Sequence, residues 1–232
     1  MKTPEEIKNY LQGRSPENIL TWISTEFPGK AVFSSSLSYE DQIITHIIFS
    51  NNLNIEVFTL DTGRLFPETY SVFSSTVNRY KRNIKTYYPQ TEAVEKLVSE
   101  KGPSSFYESI ENRKECCYIR KVEPLKRALA GKEIWITGIR AEHSDNRNEI
   151  TMAEWDEGNK IVKIHPLLNW NLYETKDYIN KYNIPYNSLH DRGFVSIGCA
   201  PCTRSVKPGE NFRAGRWWWE QNDKKECGLH SK

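Results

Sequence analysis

The chain has no excess of either charge. Its 32 Lys and Arg stand against 30 Asp and Glu, a formal net charge of +2 over 232 residues. A general nucleic-acid binder needs a strong basic surplus, so that class is disfavoured. Long apolar runs are also absent. The longest, around Ile43 to Phe49, is broken by Thr45 and His46, so nothing reads as a membrane span. No apolar leader core follows Met1-Lys2-Thr3-Pro4-Glu5-Glu6, and the expected compartment is the cytoplasm, where thiols stay reduced. Internal repeats and low-complexity tracts are missing. What remains is an ordinary globular composition, 38% hydrophobic and 27% charged, sized for one substantial domain or a domain with a tail.

The pattern along the chain predicts an α/β fold. Pro4 to Gln12 is a short polar helix. Ser15-Pro16 supplies a cap and a proline at the first helical position of the next one. Lys30 to Ser34 reads as a strand, and the turn Ser34-Ser35-Ser36-Leu37-Ser38 leads into a helix from about Tyr39 to Ser50. Ile55 to Leu60 is a second strand, closed by Asp61-Thr62-Gly63-Arg64, and Asn83 to Tyr87 is a third. Arg120 to Ala130 is helical in composition, with Pro124 at a start or a kink. Glu133 to Thr137 is another strand. Asn148 to Trp155 and Lys160 to Ile164 form a hairpin pattern, and Tyr173 to Tyr182 is a helix. Strands alternating with helices imply a mainly parallel twisted sheet with helices on both faces. Ligands of such sheets sit at the carboxyl ends of the strands. From about Asn183 the chain is rich in loops.

The Ser34–Ser38 turn ends a strand and opens a helix, so its N–H groups and hydroxyls can hold a phosphate. A plain helix cap is the competing reading. The turn is no Walker loop, since it lacks the Gly-Lys-Ser ending.

Five cysteines carry the chemistry. Cys116 and Cys117 are adjacent, Cys199-Ala200-Pro201-Cys202 is a C-x-x-C pair, and Cys227 stands alone in Lys224-Lys225-Glu226-Cys227-Gly228-Leu229-His230. Two pairs of thiolates suit a tetrahedral metal or a cubane cluster. Neighbouring side chains on a helix diverge by about 100°, which fits a cluster with several iron corners better than one ion. Spacing alone leaves a four-thiolate zinc site open. Cys227 has lysines before it and a histidine after it, and both favour the reactive thiolate, while Glu226 opposes it.

Taken in order, these segments resemble the assimilatory adenylyl-sulfate reductases, within the wider family of adenylyl-sulfate and phosphoadenylyl-sulfate reductases. The likeness runs from about Phe33 onward. It is carried by Ser34-Ser35-Ser36-Leu37-Ser38-Tyr39-Glu40-Asp41-Gln42, Leu60-Asp61-Thr62-Gly63-Arg64, Cys116-Cys117 with Arg120-Lys121, Thr137-Gly138-Ile139-Arg140 and Tyr186-Asn187-Ser188-Leu189-His190. Ile197-Gly198-Cys199-Ala200-Pro201-Cys202-Thr203-Arg204, Arg213-Ala214-Gly215-Arg216-Trp217-Trp218-Trp219 and Glu226-Cys227-Gly228-Leu229-His230 complete it.

The resemblance implies an adenine nucleotide α-hydrolase-like fold and a [4Fe-4S] cluster on Cys116, Cys117, Cys199 and Cys202. It makes Cys227 the nucleophile toward adenylyl sulfate, in sulfate assimilation, with thioredoxin or a glutaredoxin-like relative as electron donor. Lys121 would bridge cluster and substrate sulfate, and Arg213 and Arg216 would join it in the catalytic set. Arg147 and His230 would bind substrate with Ser34, Ser35, Ser36, Ser38, Asp61, Thr62 and Gly63. Residues 1–202 then form the nucleotide-binding and cluster domain, and 203–232 a tail carrying the substrate arginines and the nucleophile. Homo-oligomers remain open. Relatives using phosphoadenylyl sulfate usually lack the four paired cysteines, so their presence favours adenylyl sulfate; a reductase of the phosphorylated nucleotide, or of both, is the nearest alternative. A tRNA thiolase would want a Gly-Gly-x-Asp-Ser type loop that Ser35 to Asp41 does not supply, and a zinc-stabilised binding module is the non-enzymatic rival.

Overall fold

A computed structural model describes residues 3–143 and 150–220. The elements are α1 Pro4–Leu11, α2 Pro16–Glu26, β1 Ala31–Ser34, α3 Tyr39–Ser50, β2 Glu56–Leu60, α4 Pro67–Tyr80 and β3 Lys85–Tyr87, followed by α5 Thr91–Lys101, α6 Ile110–Cys117 and α7 Glu123–Leu129. Then come β4 Ile134–Ile136, β5 Ala153–Asp156, β6 Ile161–Ile164 and α8 Leu172–Lys181. The helix starts follow local chemistry. Thr3 and Glu6 form a reciprocal capping box on α1, Ser15 caps α2 ahead of Pro16, and Asn171 with Glu174 repeats the box on α8.

Six strands make one sheet in the order β3-β2-β1-β4-β6-β5. β1 runs parallel to β2 and β4, β4 is parallel to β6, and only the β5–β6 pair is antiparallel. The central strands are buried on both faces and therefore read as continuous apolar runs: Ala31-Val32-Phe33 in β1 and Ile134-Trp135-Ile136 in β4. β6 breaks the rule with Lys163, which is buried yet paired to Asp156 at 2.5 Å and set over the Trp135 ring. A buried ammonium is tolerable only with such partners.

The expected mainly parallel α/β architecture is what forms. Local boundaries differ. The helix expected over Arg120 to Ala130 begins at Glu123, with Pro124 in its first turn, and the residues Tyr118–Val122 ahead of it wind as one wide π-type turn. Pro124 has no N–H to give, so the tighter helix starts where none is required. Thr91–Lys101 and Ile110–Cys117 add two further helices. Asn148 and Glu149, the start of the expected hairpin strand, lie outside the described residues. Among those described, no helix is long and apolar enough to cross a membrane.

The chain divides into two compact units. The first comprises Met1–Thr59, Glu68–Lys85 and Gly131–Ser188, and the second Leu60–Pro67, Thr86–Ala130 and Leu189–Lys232. The first holds a large apolar core that includes Ile19, Ile23, Phe33, Ile43, Ile47 and Ile136. The second buries Leu97, Leu125, Ala128 and Leu129, and it holds a separate small cluster in which two of the four members are cysteines: Phe106, Cys199, Cys202 and Trp217.

Candidate active site

In the second unit, four thiols line one cavity. α6 is started by Ser109, whose hydroxyl accepts from Asn112 N–H, and it ends on Cys116 and Cys117. The π-type turn that follows carries Arg120 and Lys121 to the same cavity, and the turn around Ala200–Cys202 brings Cys199 and Cys202. Hydrogen bonds hold that turn from all sides. Ala200 N–H donates to Arg64 O at 2.8 Å, Tyr107 Oη to Pro201 O at 2.8 Å, and Thr203 Oγ1 to Cys199 O at 2.9 Å. Thr62 Oγ1 lies 3.2 Å from Cys199 Sγ.

Burial pushes the Cys116 thiol up, against the pull of Arg120 and Arg64. Burial pushes Cys202 further, to about 12, with Cys199 adding to the rise and Lys121 and Arg216 opposing it. Such thiols keep their protons at neutral pH unless a metal displaces them. Among the described residues, no three His, Cys, Asp or Glu side chains are spaced to hold a metal ion. Four thiols on one cavity are soft donors of the kind that suit a thiophilic metal ion or an iron–sulfur cluster. Among the described residues of this unit, three buried N–H groups make no hydrogen bond, namely Arg120 Nε, Arg216 Nε and Trp217 Nε1. Each unmet buried donor costs about 1–3 kcal/mol, and the cavity itself is lined by the cations Arg64, Arg113, Arg120 and Lys121, which suits an anionic occupant.

The segment after the C-x-x-C pair folds back on it. Thr203 bridges to Arg216, and Trp217 N–H donates to Cys202 O at 3.1 Å. Arg216 is buried, with contacts to Ser196 Oγ and Ile197 O and its guanidinium over the Trp217 ring. A Cβ at Gly198 would collide with that guanidinium. Arg213 is half-buried and also faces the Trp217 ring. The three tryptophans divide their work: Trp217 is buried, Trp218 is exposed, and Trp219 packs edge-on to Tyr107. Sequence reasoning missed the pair that anchors this segment. Arg113 holds Glu220 through two bonds, Nε to Oε1 at 2.8 Å and Nη2 to Oε2 at 2.9 Å, with both side chains buried.

Asp61, Thr62 and Gly63 belong to the same unit and build a turn from their own side chains. Asp61 Oδ1 accepts from Gly63 N–H at 2.8 Å and Thr62 Oγ1 from Arg64 N–H at 3.2 Å. Arg120 Nη1 donates to Thr62 O at 2.6 Å, which ties the turn to the π-type turn that follows the adjacent cysteines.

The Ser34–Ser38 turn lies in the first unit. Ser34 Oγ accepts from Trp135 Nε1 at 2.8 Å, Ser35 N–H donates to Phe58 O at 2.7 Å, and Ser35 Oγ accepts from Leu37 N–H at 3.2 Å. Leu37 has φ +63°, a left-handed conformation that costs a bulky residue roughly 1–2 kcal/mol. Its side chain is fully buried in the core, which offsets that cost. Ser38 is the N-cap of α3, yet its side chain makes no capping bond. It lies 3.0 Å from Ser36 Oγ instead. Ser36 N–H and Oγ both reach Asp41 Oδ2, at 2.5 and 2.6 Å. Burial pushes the Asp41 carboxyl up to about 7, against the hydrogen bonds from Ser36, with Glu40 adding to the rise. Glu40 is itself paired to Arg140 at 2.8 Å. Arg147, Cys227 and His230 lie outside the described residues.

A mainly parallel six-stranded sheet with helices is the α/β architecture shared by adenine-nucleotide-binding folds, and its second unit adds a cavity lined by four thiols. Yeast FAD synthetase in complex with FAD shares the fold at a TM-score of 0.54 and 16% identity, over 87% of this chain and 74% of that one. The chain belongs to the phosphoadenosine phosphosulfate reductase domain family, which it matches over residues 30–205. It is 49% identical to adenosine 5'-phosphosulfate reductase of Burkholderia cepacia over 87% of this chain and 80% of that one. It is 50% identical to the protein of the same name in Neisseria meningitidis serogroup B, over 86% and 82%. The crystal structure of phosphoadenylyl-sulfate reductase from Candida auris, a phosphate complex, superposes with a TM-score of 0.75 at 27% identity, covering 89% of this chain and 98% of that one.

Proposed function

We propose that this chain reduces adenylyl sulfate to sulfite and AMP, with a thioredoxin or glutaredoxin-like dithiol as reductant, in cytoplasmic sulfate assimilation. The carrying observation is the joint one: four thiols share a cavity with Lys121, in a chain about half identical to proteins named for that nucleotide.

The sulfuryl sulfur is shielded by anionic oxygens, so attack on it requires charge neutralisation and alignment. The Cys227 thiolate attacks that sulfur, the anhydride S–O bond breaks, and AMP leaves with the electron pair. An S-sulfocysteine remains. A donor thiolate then attacks Cys227 Sγ, the bond to the sulfonate breaks, and sulfite leaves with its electron pair. The donor's second thiol resolves the mixed disulfide, releasing Cys227 and oxidised donor. Two electrons pass from the dithiol to sulfur, and the chain ends each turnover as it began.

Lys121, Arg147, Arg213 and Arg216 bind the sulfate and phosphate oxygens, the guanidiniums as planar forks. The Ser34, Ser35, Ser36 and Ser38 turn, with Asp61, Thr62 and Gly63, holds the nucleotide, and His230 assists binding. Cys116, Cys117, Cys199 and Cys202 would hold a [4Fe-4S] cluster, whose charge, when bound, tunes the field at Lys121. The donor set suits it: four thiols on one cavity, with Cys116 and Cys202 pushed up by burial and Arg120 and Lys121 beside them. Mass spectrometry of protein mixed with adenylyl sulfate, reductant withheld, tests the reading. One sulfonate added on Cys227, and none in Cys227→Ser, is expected; an unmodified Cys227 would sink it. The 3'-phosphorylated nucleotide is the alternative substrate, and turnover of both under the same conditions decides between them.

A further inference from the structure

The Ser36–Ser38 pair contains a hydrogen-bonding ambiguity. Ser36 Oγ is within reach of Ser38 Oγ, at 3.0 Å, and of Asp41 Oδ2, at 2.6 Å. A hydroxyl has one hydrogen, so it cannot donate to both. The direction of the chain is therefore set at its buried end. With Asp41 ionised, Ser36 must donate to the carboxylate and Ser38 donates to Ser36. Ser38 then presents only lone pairs to a ligand. With Asp41 protonated, its O–H donates to Ser36, Ser36 donates to Ser38, and the Ser38 hydrogen is free to point outward.

We propose that Asp41 sets the polarity of this hydroxyl chain, and that the anionic nucleotide binds the form in which Asp41 carries a proton taken from solvent. The proposal rests on the reading of the β1 turn as a nucleotide site. Both consequences of protonation favour an anion: one more outward donor and one less negative charge.

The surroundings of Asp41 support it. Its other oxygen faces the turn after β4, where a Cβ at Gly138 would collide with Oδ1 and where the Gly138 backbone donates to the carboxyl. The carboxyl thus joins the turns after two adjacent parallel strands, β1 and β4. The charged neighbours are Glu40 on its own helix and Arg140 on the turn after β4, and these two are paired to each other. Arg140 is therefore engaged with Glu40, and the push from burial leaves Asp41 titrating near neutrality. Ser38 is uncommitted to capping, so its hydrogen can turn.

The test uses Cys227→Ser protein, in which the nucleotide is not consumed. Adenylyl sulfate has no titrating proton between pH 6 and 8.5, so any linkage comes from protein. The dissociation constant, measured by calorimetry across that range, should rise with pH toward a limit of about tenfold per unit for one linked proton. Adding Asp41→Asn should remove this component of the slope, whatever the absolute affinity. Adding Ser36→Ala, a change at an exposed residue, should weaken it by cutting the relay, and it keeps the test alive if Asp41→Asn fails to fold. Identical pH dependence in parent and variants would overturn the proposal. No binding by the parent at any pH would sink the nucleotide reading and this one with it. Binding with linked protonation, in a protein whose Cys227 is never sulfonated, would sink the reductase chemistry alone.

Discussion

The two units solve opposite problems. The serine turn of the first satisfies itself: each of Ser34, Ser35, Ser36 and Leu37 has a partner within the protein, and a large apolar core stands behind it. The cysteine unit does not. The cluster around its thiols is small and half cysteine, and beside it buried N–H groups of Arg120, Arg216 and Trp217 go unmet. A region that folds on its own apolar surface can spare exposed hydroxyls for a ligand. A cluster with so few apolar members must draw stability from ion pairs and from whatever its thiols bind. The contrast predicts that the same chemical insult does little in one unit and much in the other.

The largest difference should follow removal of a thiol. Cys199→Ser should abolish sulfite formation, by more than a thousandfold, and strip iron and visible absorbance from anaerobic protein. Proteolysis should then cut the second unit while the first stays resistant. Ser34→Ala, the matching small change in the first unit, should leave both unchanged in their protease pattern. Equal sensitivity of the two units would break the comparison.

Glu220→Gln comes next. Arg113 and Glu220 are both buried and doubly bonded, and neutralising one partner strands the other's charge. Breaking a buried pair costs about 3–5 kcal/mol. The shift should show in urea unfolding followed by tryptophan emission, since Arg113 also faces the Trp217 ring. A shift below about 1 kcal/mol would mean that the segment after the C-x-x-C pair is anchored elsewhere.

How much of this was readable beforehand depended on distance along the chain. β1, its serine turn and α3 form one continuous stretch, and apolar runs, a turn of hydroxyls and a helical period declare it. The paired cysteines declare themselves by spacing, since two close pairs of thiols in a reducing setting need a common reason. Arg113 and Glu220 carry no such signal: they are 107 positions apart, and each alone looks like a surface charge. The role of Asp41 is equally silent, because only the folded turn shows that it bonds Ser36 and abuts Gly138. Thr62 read as a nucleotide contact from its place at a strand end, and its hydroxyl lies against Cys199 Sγ. Periodicity reports faces and caps. Contacts between distant segments come from packing, which no local pattern encodes.

Gly198→Ala should be milder and specific. The added methyl would meet the Arg216 guanidinium, and the arginine must move while the cysteines beside it keep their backbone. About a tenfold loss in kcat/KM is expected, with iron content unchanged. Iron loss in parallel with activity would make Gly198 a part of the thiol site rather than a cradle for the arginine.

The last comparison returns to the first unit and concerns Asp41, whose effect is spread over several pH units. Its carboxyl titrates near 7 in the folded chain, against 3.8 when exposed, chiefly because it is buried. Between those values the folded state holds more protons than the unfolded one, so stability falls as pH rises through the window and levels off above about 7. One group can supply at most about 1.4 kcal/mol per pH unit. Carboxylates whose titration is lowered by folding, such as Glu210 beside Arg204, work in the opposite sense and only at more acid pH. Urea midpoints at pH 5, 6, 7 and 8 should therefore decline more steeply in the wild type than in Asp41→Asn, and the two curves should run parallel above pH 7.5. Parallel curves throughout would mean that Asp41 is ionised across the range, and that the serine turn is held by a permanent charge instead of a proton-dependent one.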